Sequence, residues 1–236
     1  KACLTDADGN VTGLIGVMLD ITERKRAEEL IEKRLLALTQ PLEGGAIAFE
    51  DLFKLDEIQR IQDEFASALG VASIITHPDG TPITRPSNFT RLCNELIRMT
   101  EKGCANCMKS DALIGRMHPE GPIVQPCLSG GLWDAGSSII VGGHHVANWL
   151  IGQVRDETQT EENMRAYAQL IGADEAAFME AFAAVPSMSR ERFEVIARSF
   201  FTLANQLSTT AFQNVQQARF ITERKQAEEA LAHEQY

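Results

Sequence analysis

The chain has 236 residues, is 44% hydrophobic and carries a formal net charge of −11. That length allows one or two domains with a real core, and the acidic balance, with Lys and Arg interleaved among Glu, disfavours nucleic-acid binding. No apolar run approaches the roughly 18 residues that a membrane span needs, and no signal-peptide pattern is present. The segment therefore reads as a cytoplasmic excerpt of a longer protein, with any membrane or targeting segment outside it.

Lys1–Asp20 reads as a hairpin, with Ala2 and Leu4 on one strand, a turn at Asp8-Gly9-Asn10 and a return strand over Leu14–Met18. Two strands are marginal alone, so this is expected to be the end of a truncated domain. Ile21–Thr39 is strongly helical, with Thr22 as cap, a narrow stripe of Leu30, Ile31, Leu35 and Leu38, and Pro41 with Gly44-Gly45 as the stop. The phrase ITERK at Ile21–Lys25 recurs at Ile221–Lys225, and both copies continue into nearly the same charged, helix-forming run. That spacing is too long for a solenoid. It describes a repeated connector around one domain-sized segment, as in a module of a serial signalling chain.

The central segment begins near Ala46. Asp51 is expected to cap a helix carrying Leu52, Leu55, Ile58, Ile61, Phe65 and Leu69 and ending at Gly70. Val71–Thr76 and Thr81–Thr84 read as strands about a Pro78-Asp79-Gly80 turn. Ser87 then opens a helix whose face is Phe89, Leu92, Cys93, Leu96 and Ile97, with Gly103 as its stop. A helix over Cys104–Met117 follows, then a strand over Ile123–Cys127. Gly130–Asp134, Ser137–Val141 and Val146–Val154 read as an antiparallel meander turning at Gly142-Gly143. Helices follow at Thr160–Ile171 and Asp174–Phe182. A long last helix runs from Ser189 to Glu234, with Ile196, Phe200, Leu203, Leu207, Ala211, Val215, Ala218 and Ile221 as its apolar stripe. The sum is an α+β layer architecture: a central antiparallel sheet, flanking helices and long terminal coiled-coil helices, the general plan of PAS- and GAF-type modules.

Four of the five cysteines, Cys93, Cys104, Cys107 and Cys127, fall in one short window. Cys104 and Cys107 have zinc-knuckle spacing, so a thiolate site for Zn²⁺ or an Fe–S cluster is one reading. Buried or pocket-lining thiols are the other, and Cys93 in mid-stripe favours it. His144-His145 suits an exposed hairpin tip or, for one ring, a pocket wall. Trp133-Asp134 and Trp149 would suit a small, partly apolar ligand or ordinary core packing, and Asn148 and Gln153 are candidates for polar groups facing a pocket. No P-loop, GxGxxG, GxSxG or HExxH is present, which makes catalysis the minority reading.

Two resemblances sharpen this. DITERKRAEE at Asp20–Glu29, with the hairpin before it, resembles the exit of a PAS/PAC domain from bacterial sensor kinases and regulators. Over about Leu52–Gln206 the chain resembles the PocR-type sensory domain, carried by FTRLCNELIR, GCANCMKSD, PCLSGGLWDAGSSIIVGGHHVANWLIGQV and AFAAVPSMSRERFE. That resemblance implies a PAS/GAF-like module sensing simple hydrocarbon derivatives such as small alcohols and diols. It places recurrent cysteines at Cys93, Cys107 and Cys127, leaves Cys104 at a more variable position, and puts Leu128 where the family often has a histidine. Asp111, Trp133, Asp134 and Gln153 lie in the matching motifs and complete the expected pocket.

The expected organisation is a PAS fragment over 1–20, a helical connector over 21–45, the sensory domain over 46–206 and a coiled-coil connector over 207–236. The expected function is sensing of a small molecule, relayed through a homodimeric coil to an output domain in the same chain. The alternative is a cysteine-based metal or redox sensor.

Overall fold

The computed structural model describes residues 2–5, 11–15, 21–26 and 48–234. The chain divides into two compact units, Lys1–Ala37 and Leu38–Tyr236. In the first, β1 (Ala2–Thr5) and β2 (Val11–Ile15) pair antiparallel, with a register shift at Leu4/Thr5, and residues 22–26 are helical. The turn at Asp8-Gly9-Asn10, the remainder of the connector helix with its leucine stripe, and its stop at Pro41–Gly45 lie outside the described residues.

The second unit has the expected α+β plan. A four-stranded antiparallel sheet runs in the order β3-β6-β5-β4, from β3 (Ala72–Thr76), β4 (Ile123–Pro126), β5 (Trp133–Val141) and β6 (His144–Val154). The β5–β6 hairpin turns at Gly142-Gly143, whose φ of 59° and 86° are the left-handed values that a two-residue turn requires. Gly130–Asp134 and Ser137–Val141 are not separate strands, because β5 runs unbroken from Trp133 and only Gly130-Gly131 bend before it.

The two faces of the sheet follow the period of two. Ile75, Trp133, Ala135, Ile139, Trp149 and Ile151 face one side. There they meet α2 (Leu55–Leu69) and the long α6 (Arg190–Glu234). Phe65, Trp149 and Phe200 form the centre of this layer, with Trp149 edge-on to Phe200 at 5.2 Å. Ile74, Asp134, Asn148, Leu150 and Gly152 alternate to the other side, where Ile74 and Leu150 pack on Ile114 of α3 (Glu101–Ile114). Beyond α3, a third group of buried residues joins Cys93, Ile97 and Cys107 to α4 (Glu161–Ile171) and α5 (Glu175–Ala183).

Several local expectations are corrected. Asp51 is not a cap. It lies inside a four-residue α1 (Phe49–Leu52) that breaks at the extended Phe53, whose ring stacks on Phe49 at 4.6 Å, and α2 starts afresh after Lys54. Thr81–Thr84 forms only an isolated bridge, Thr76 to Pro82. Ser87 does not open a helix: it bridges Ser73, and Asn88 follows in the left-handed region at φ 53°. The helix instead covers Leu92–Ile97 and is a π-helix, its turn widened by the bond from Arg98 N–H to the Cys93 carbonyl at 3.0 Å. Gly103 is not a stop. It sits in the first turn of α3, where its N–H is capped by the Thr100 hydroxyl.

Helix α6 is 45 residues long, roughly 65–70 Å at 1.5 Å per residue. Its buried stripe is Phe193, Ile196, Ala197, Phe200, Ala204, Ala211, Val215 and Ala218. Leu203 and Ile221, expected in that stripe, are 42% and 52% exposed. Ala204 is fully buried in the packed position instead, while Ser208 accepts from the Ile140 N–H at 3.0 Å. Among the described residues no helix is long and apolar enough to cross a membrane.

One buried amide holds the irregular segment after β3. Gln62 is fully buried; it accepts from the Thr84 hydroxyl at 2.6 Å and donates towards the Ser73 and Arg85 carbonyls and the Ser87 hydroxyl. Gln62→Leu removes these bonds at once and leaves the buried Thr84 hydroxyl with only a long contact, 3.4 Å, to the Ile75 carbonyl. It should lower the unfolding free energy by on the order of 3 kcal/mol, read as a lower urea midpoint at unchanged slope.

Candidate functional site

The site lies on the face of the sheet away from α6. It is built around a β-bulge. Trp133 pairs with Val154 but Asp134 pairs with Gly152, so Gln153 is the extra residue of β6, held at φ 59°. A non-glycine residue in that region is strained, and such strain concentrates at functional positions. The bulge turns the Gln153 side chain toward the helices, where its Oε1 accepts from both Thr90 N–H at 2.8 Å and Thr90 Oγ1 at 2.9 Å. Its own N–H donates to Asp134 Oδ1 at 2.9 Å. Gly152 makes this possible, because a Cβ there would strike Asp134 Oδ1 and stand 2.7 Å from the Trp133 carbonyl. Thr90 Oγ1 in turn accepts from the Cys93 N–H at 3.3 Å, which links the bulge to the π-helix.

The helices supply the opposite wall. Cys107, Ser110 and Asp111 recur at the three- and four-residue spacing that shares one face of α3. Arg98, at the end of the π-helix, donates from Nη2 to Asp111 Oδ2 at 2.8 Å and lies over the Phe89 ring, 5.2 Å from its centroid. The Cys127–Leu132 loop closes one end, pinned by Leu128 N–H to Ser110 Oγ at 3.1 Å and by Cys127 N–H to the Leu132 carbonyl at 2.7 Å. Behind it Asn106 donates to Tyr167, which lies 2.6 Å from Ser129, and Ser129 donates to the Gly103 carbonyl.

Two small cavities, of about 30 and 20 Å³, adjoin here. Arg98, Asp111, Asp134 and Gln153 line both, forming a polar partition. The first cavity, partly open to solvent, is further lined by Phe89 and the ends of β3 and β6; the second by Cys93, Cys107 and Cys127. One water needs roughly 10–15 Å³ by this measure, so the space suits a molecule of only a few non-hydrogen atoms.

Six of the expected site residues therefore converge: Cys93, Cys107, Cys127, Asp111, Asp134 and Gln153. Two do not. Trp133 points to the other face, where it donates to Asp156 Oδ2 at 2.8 Å and carries Arg190 on its ring at 4.9 Å, because neighbours in a strand face opposite ways. Cys104 lines neither cavity, since it is offset from the α3 face that carries Cys107 and Asp111. Trp149 also faces α6, and Asn148 is spent on Thr76, His77 and His145, with its side-chain oxygen 2.7 Å from His145 Nε2. Arg98, Thr90, Ser110 and Ser129 were not expected. The Arg98–Asp111 pair joins two helices 13 residues apart, and no local pattern marks it.

Burial sets the chemistry. It pushes the Cys93 and Cys127 thiols far above their ordinary range and the Cys107 thiol up to about 11. In the absence of a metal all three are protonated at neutral pH, which makes them poor nucleophiles. Among the described residues no group of three or more His, Cys, Asp or Glu side chains is arranged to hold a metal ion, and Cys104 lies outside the cavity that Cys93, Cys107 and Cys127 line. Burial also lifts Asp134 to about 7, against the Gln153 N–H, and Asp111 to about 6, against Arg98.

These features coincide with a known family. Residues 51–212, more than half the chain, match the family model described as the sensory domain found in PocR. The chain belongs to the PocR sensory-domain family. It is 32% identical over 107 residues to the Regulatory protein PocR of Salmonella typhimurium, an alignment that covers 44% of this chain and 34% of that protein. It thus aligns with about a third of the length of that curated relative. No solved structure matches the chain significantly. Membership makes the chain a sensor in signal transduction at the level of its domain.

Two measurements check the site. In the folded protein Cys104 is partly accessible while Cys93 and Cys107 are buried, so Cys104 should react with a thiol reagent at least about tenfold faster than those two, the three equalising on unfolding; mass mapping of the labelled positions reads this. The second concerns Asp134. Its pKa is raised in the fold, so between the unfolded value near 4 and the folded value of about 7 the native state binds the extra proton and loses stability as pH rises. Asp134→Asn should therefore gain stability relative to the wild type on going from pH 4 to pH 8, read by urea denaturation at each pH.

Proposed function

We propose that this chain is the small-molecule sensory module of a larger signalling protein, and that the paired cavities are its ligand site. The observation that carries this reading is the enclosure, in a member of a sensory family, of a strained bulge, a buried ion pair and three protonated thiols around a space of a few atoms. Such a space matches a simple alcohol, diol or other short hydrocarbon derivative. The walls offer apolar and sulfur surface for a carbon skeleton, and Arg98, Asp134 and Gln153 for its oxygens.

A route to the output follows from the strand period. Asp134 and Gln153 touch the cavities, while their neighbours Trp133 and Val154 lie on the α6 side of the sheet and the backbone of Arg155, just beyond, holds the segment that leads into α6. Trp133 bonds Asp156 and stacks under Arg190, and Arg155 donates to the Pro186 carbonyl at 2.9 Å and accepts from Met188 N–H at 3.0 Å. A ligand that shifts the bulge would move these contacts and bias the seating of α6. Phe220 and Ile221, 66% and 52% exposed near the second ITERK copy, would then pair with a second copy of the chain in a homodimeric coil leading to an output domain. On this reading the segment before residue 21 is the end of a PAS domain upstream.

The test is to follow the thermal transition of the chain with ethanol, propan-1-ol and ethane-1,2-diol, then to fuse α6 to a reporter output. A bound ligand should raise the transition, by about 2.7 kcal/mol of stability at a hundredfold excess over its Kd, and should change reporter activity in proportion to occupancy. Stabilisation with a silent reporter would refute the relay through α6.

A further inference from the structure

Arg98 carries a donor that none of the described residues answers. Its Nε is buried without a hydrogen-bond partner among the described residues, while Nη2 is committed to Asp111 at 2.8 Å and the guanidinium plane is fixed over Phe89. An unanswered buried N–H is costly, so one kept in a fold calls for an answering group, such as a water, an ion or a ligand. Arg98 lines both cavities, and it is held rigidly by a buried carboxylate and an aromatic face, so its Nε is presented in a single direction.

The surrounding charges say what kind of guest. The charged or ionisable groups on the cavity walls are Arg98 from the π-helix end, Asp111 from α3, Asp134 from β5 and the three thiols. A lone buried arginine is a carboxylate site. Here Asp111 has already taken that role, with side chains only 16% and 9% exposed across the pair. Burial holds the thiols neutral and leaves Asp134 about half protonated at neutral pH. With Arg98 balanced by Asp111 the walls carry no net positive charge, and an anionic guest would bring an unbalanced charge into a largely desolvated space.

We propose that Arg98 Nε is the docking point for an acceptor oxygen of the ligand, and that Asp111 acts as a charge filter: by neutralising Arg98 it makes the site select uncharged oxygenated molecules and reject carboxylates of the same size. This rests on the reading of the cavities as the sensory site and deepens it. Arg98 supplies recognition through one N–H rather than through its charge, and Asp111 is a specificity-determining residue that orients Arg98.

The experiment uses proton–nitrogen correlation spectra of the folded chain, in which arginine Nε–H groups give their own signals; Arg98→Lys assigns the signal of Arg98. The probes are ethane-1,2-diol and acetate, which have equal numbers of non-hydrogen atoms. The diol should shift the Arg98 Nε–H signal together with the Cys93 and Gln153 amides, and acetate should bind at least about tenfold more weakly. Asp111→Asn should narrow or reverse that preference, because it leaves Arg98 charged without a partner. If the diol moves the Cys93 and Gln153 amides but not the Arg98 Nε–H, docking at Arg98 is overturned while the sensory cavity stands. Acetate binding as tightly as the diol to the wild type overturns the charge filter, and this comparison stands alone if Asp111→Asn does not fold. If neither probe moves any cavity-lining amide, the sensory reading of the cavities fails and this inference falls with it.

Discussion

Gln153 is one residue more than β6 needs to pair with β5, and the candidate site depends on where that surplus residue goes. Without the bulge, strand alternation would turn the Gln153 side chain to the α6 face and Asp134 would keep an ordinary ladder partner. With it, the backbone N–H of Gln153 answers Asp134 while its side chain holds Thr90, and through Thr90 the first turn of the π-helix. The left-handed conformation at φ 59° is unfavourable for glutamine. It persists because three hydrogen bonds and the absence of a Cβ at Gly152 specify it.

The electrostatics of the site follow from dryness rather than from any concentration of charge. Three thiols, two carboxyls and one guanidinium would be unremarkable in water. Between a sheet and two helices, burial drives the thiols and carboxyls toward their uncharged forms, and Arg98 opposes this most directly at Asp111 and also at Cys107, Cys93 and Asp134. Hence the cysteines line the second cavity as neutral thiols, and its polar groups are Arg98, Asp111, Asp134 and Gln153 with the hydroxyls of Ser110 and Ser129.

The sheet also separates two tasks by its pleat. One face carries the cavities and the other carries Trp133, Trp149 and the aromatic contact with α6. Adjacent residues of β5 and β6 therefore belong to different layers: Asp134 adjoins Trp133, and Gln153 adjoins Val154, each pair one peptide unit apart.

Much of the architecture was legible in the residues. Period-two runs in β5 and β6, the Gly142-Gly143 turn, the caps at Thr160 and Asp174, and the length of α6 are local properties, which sequence determines because propensity and capping act over a few residues. The motifs around Cys93, Asp111, Cys127 and Gln153 were enough to gather most of the cavity wall, and enough to name the family. What only the tertiary structure decided is which side each residue faces and whom it meets. Trp133 was assigned to the site because it adjoins Asp134, yet adjacency in a strand means opposite faces. Leu203 was assigned to the packed stripe of α6, yet Ala204 fits the sheet. The π-helix, the bulge and the Arg98–Asp111 pair have no signature in the sequence. Each arises where two elements distant along the chain compete for the same space, and burial alone fixes the outcome.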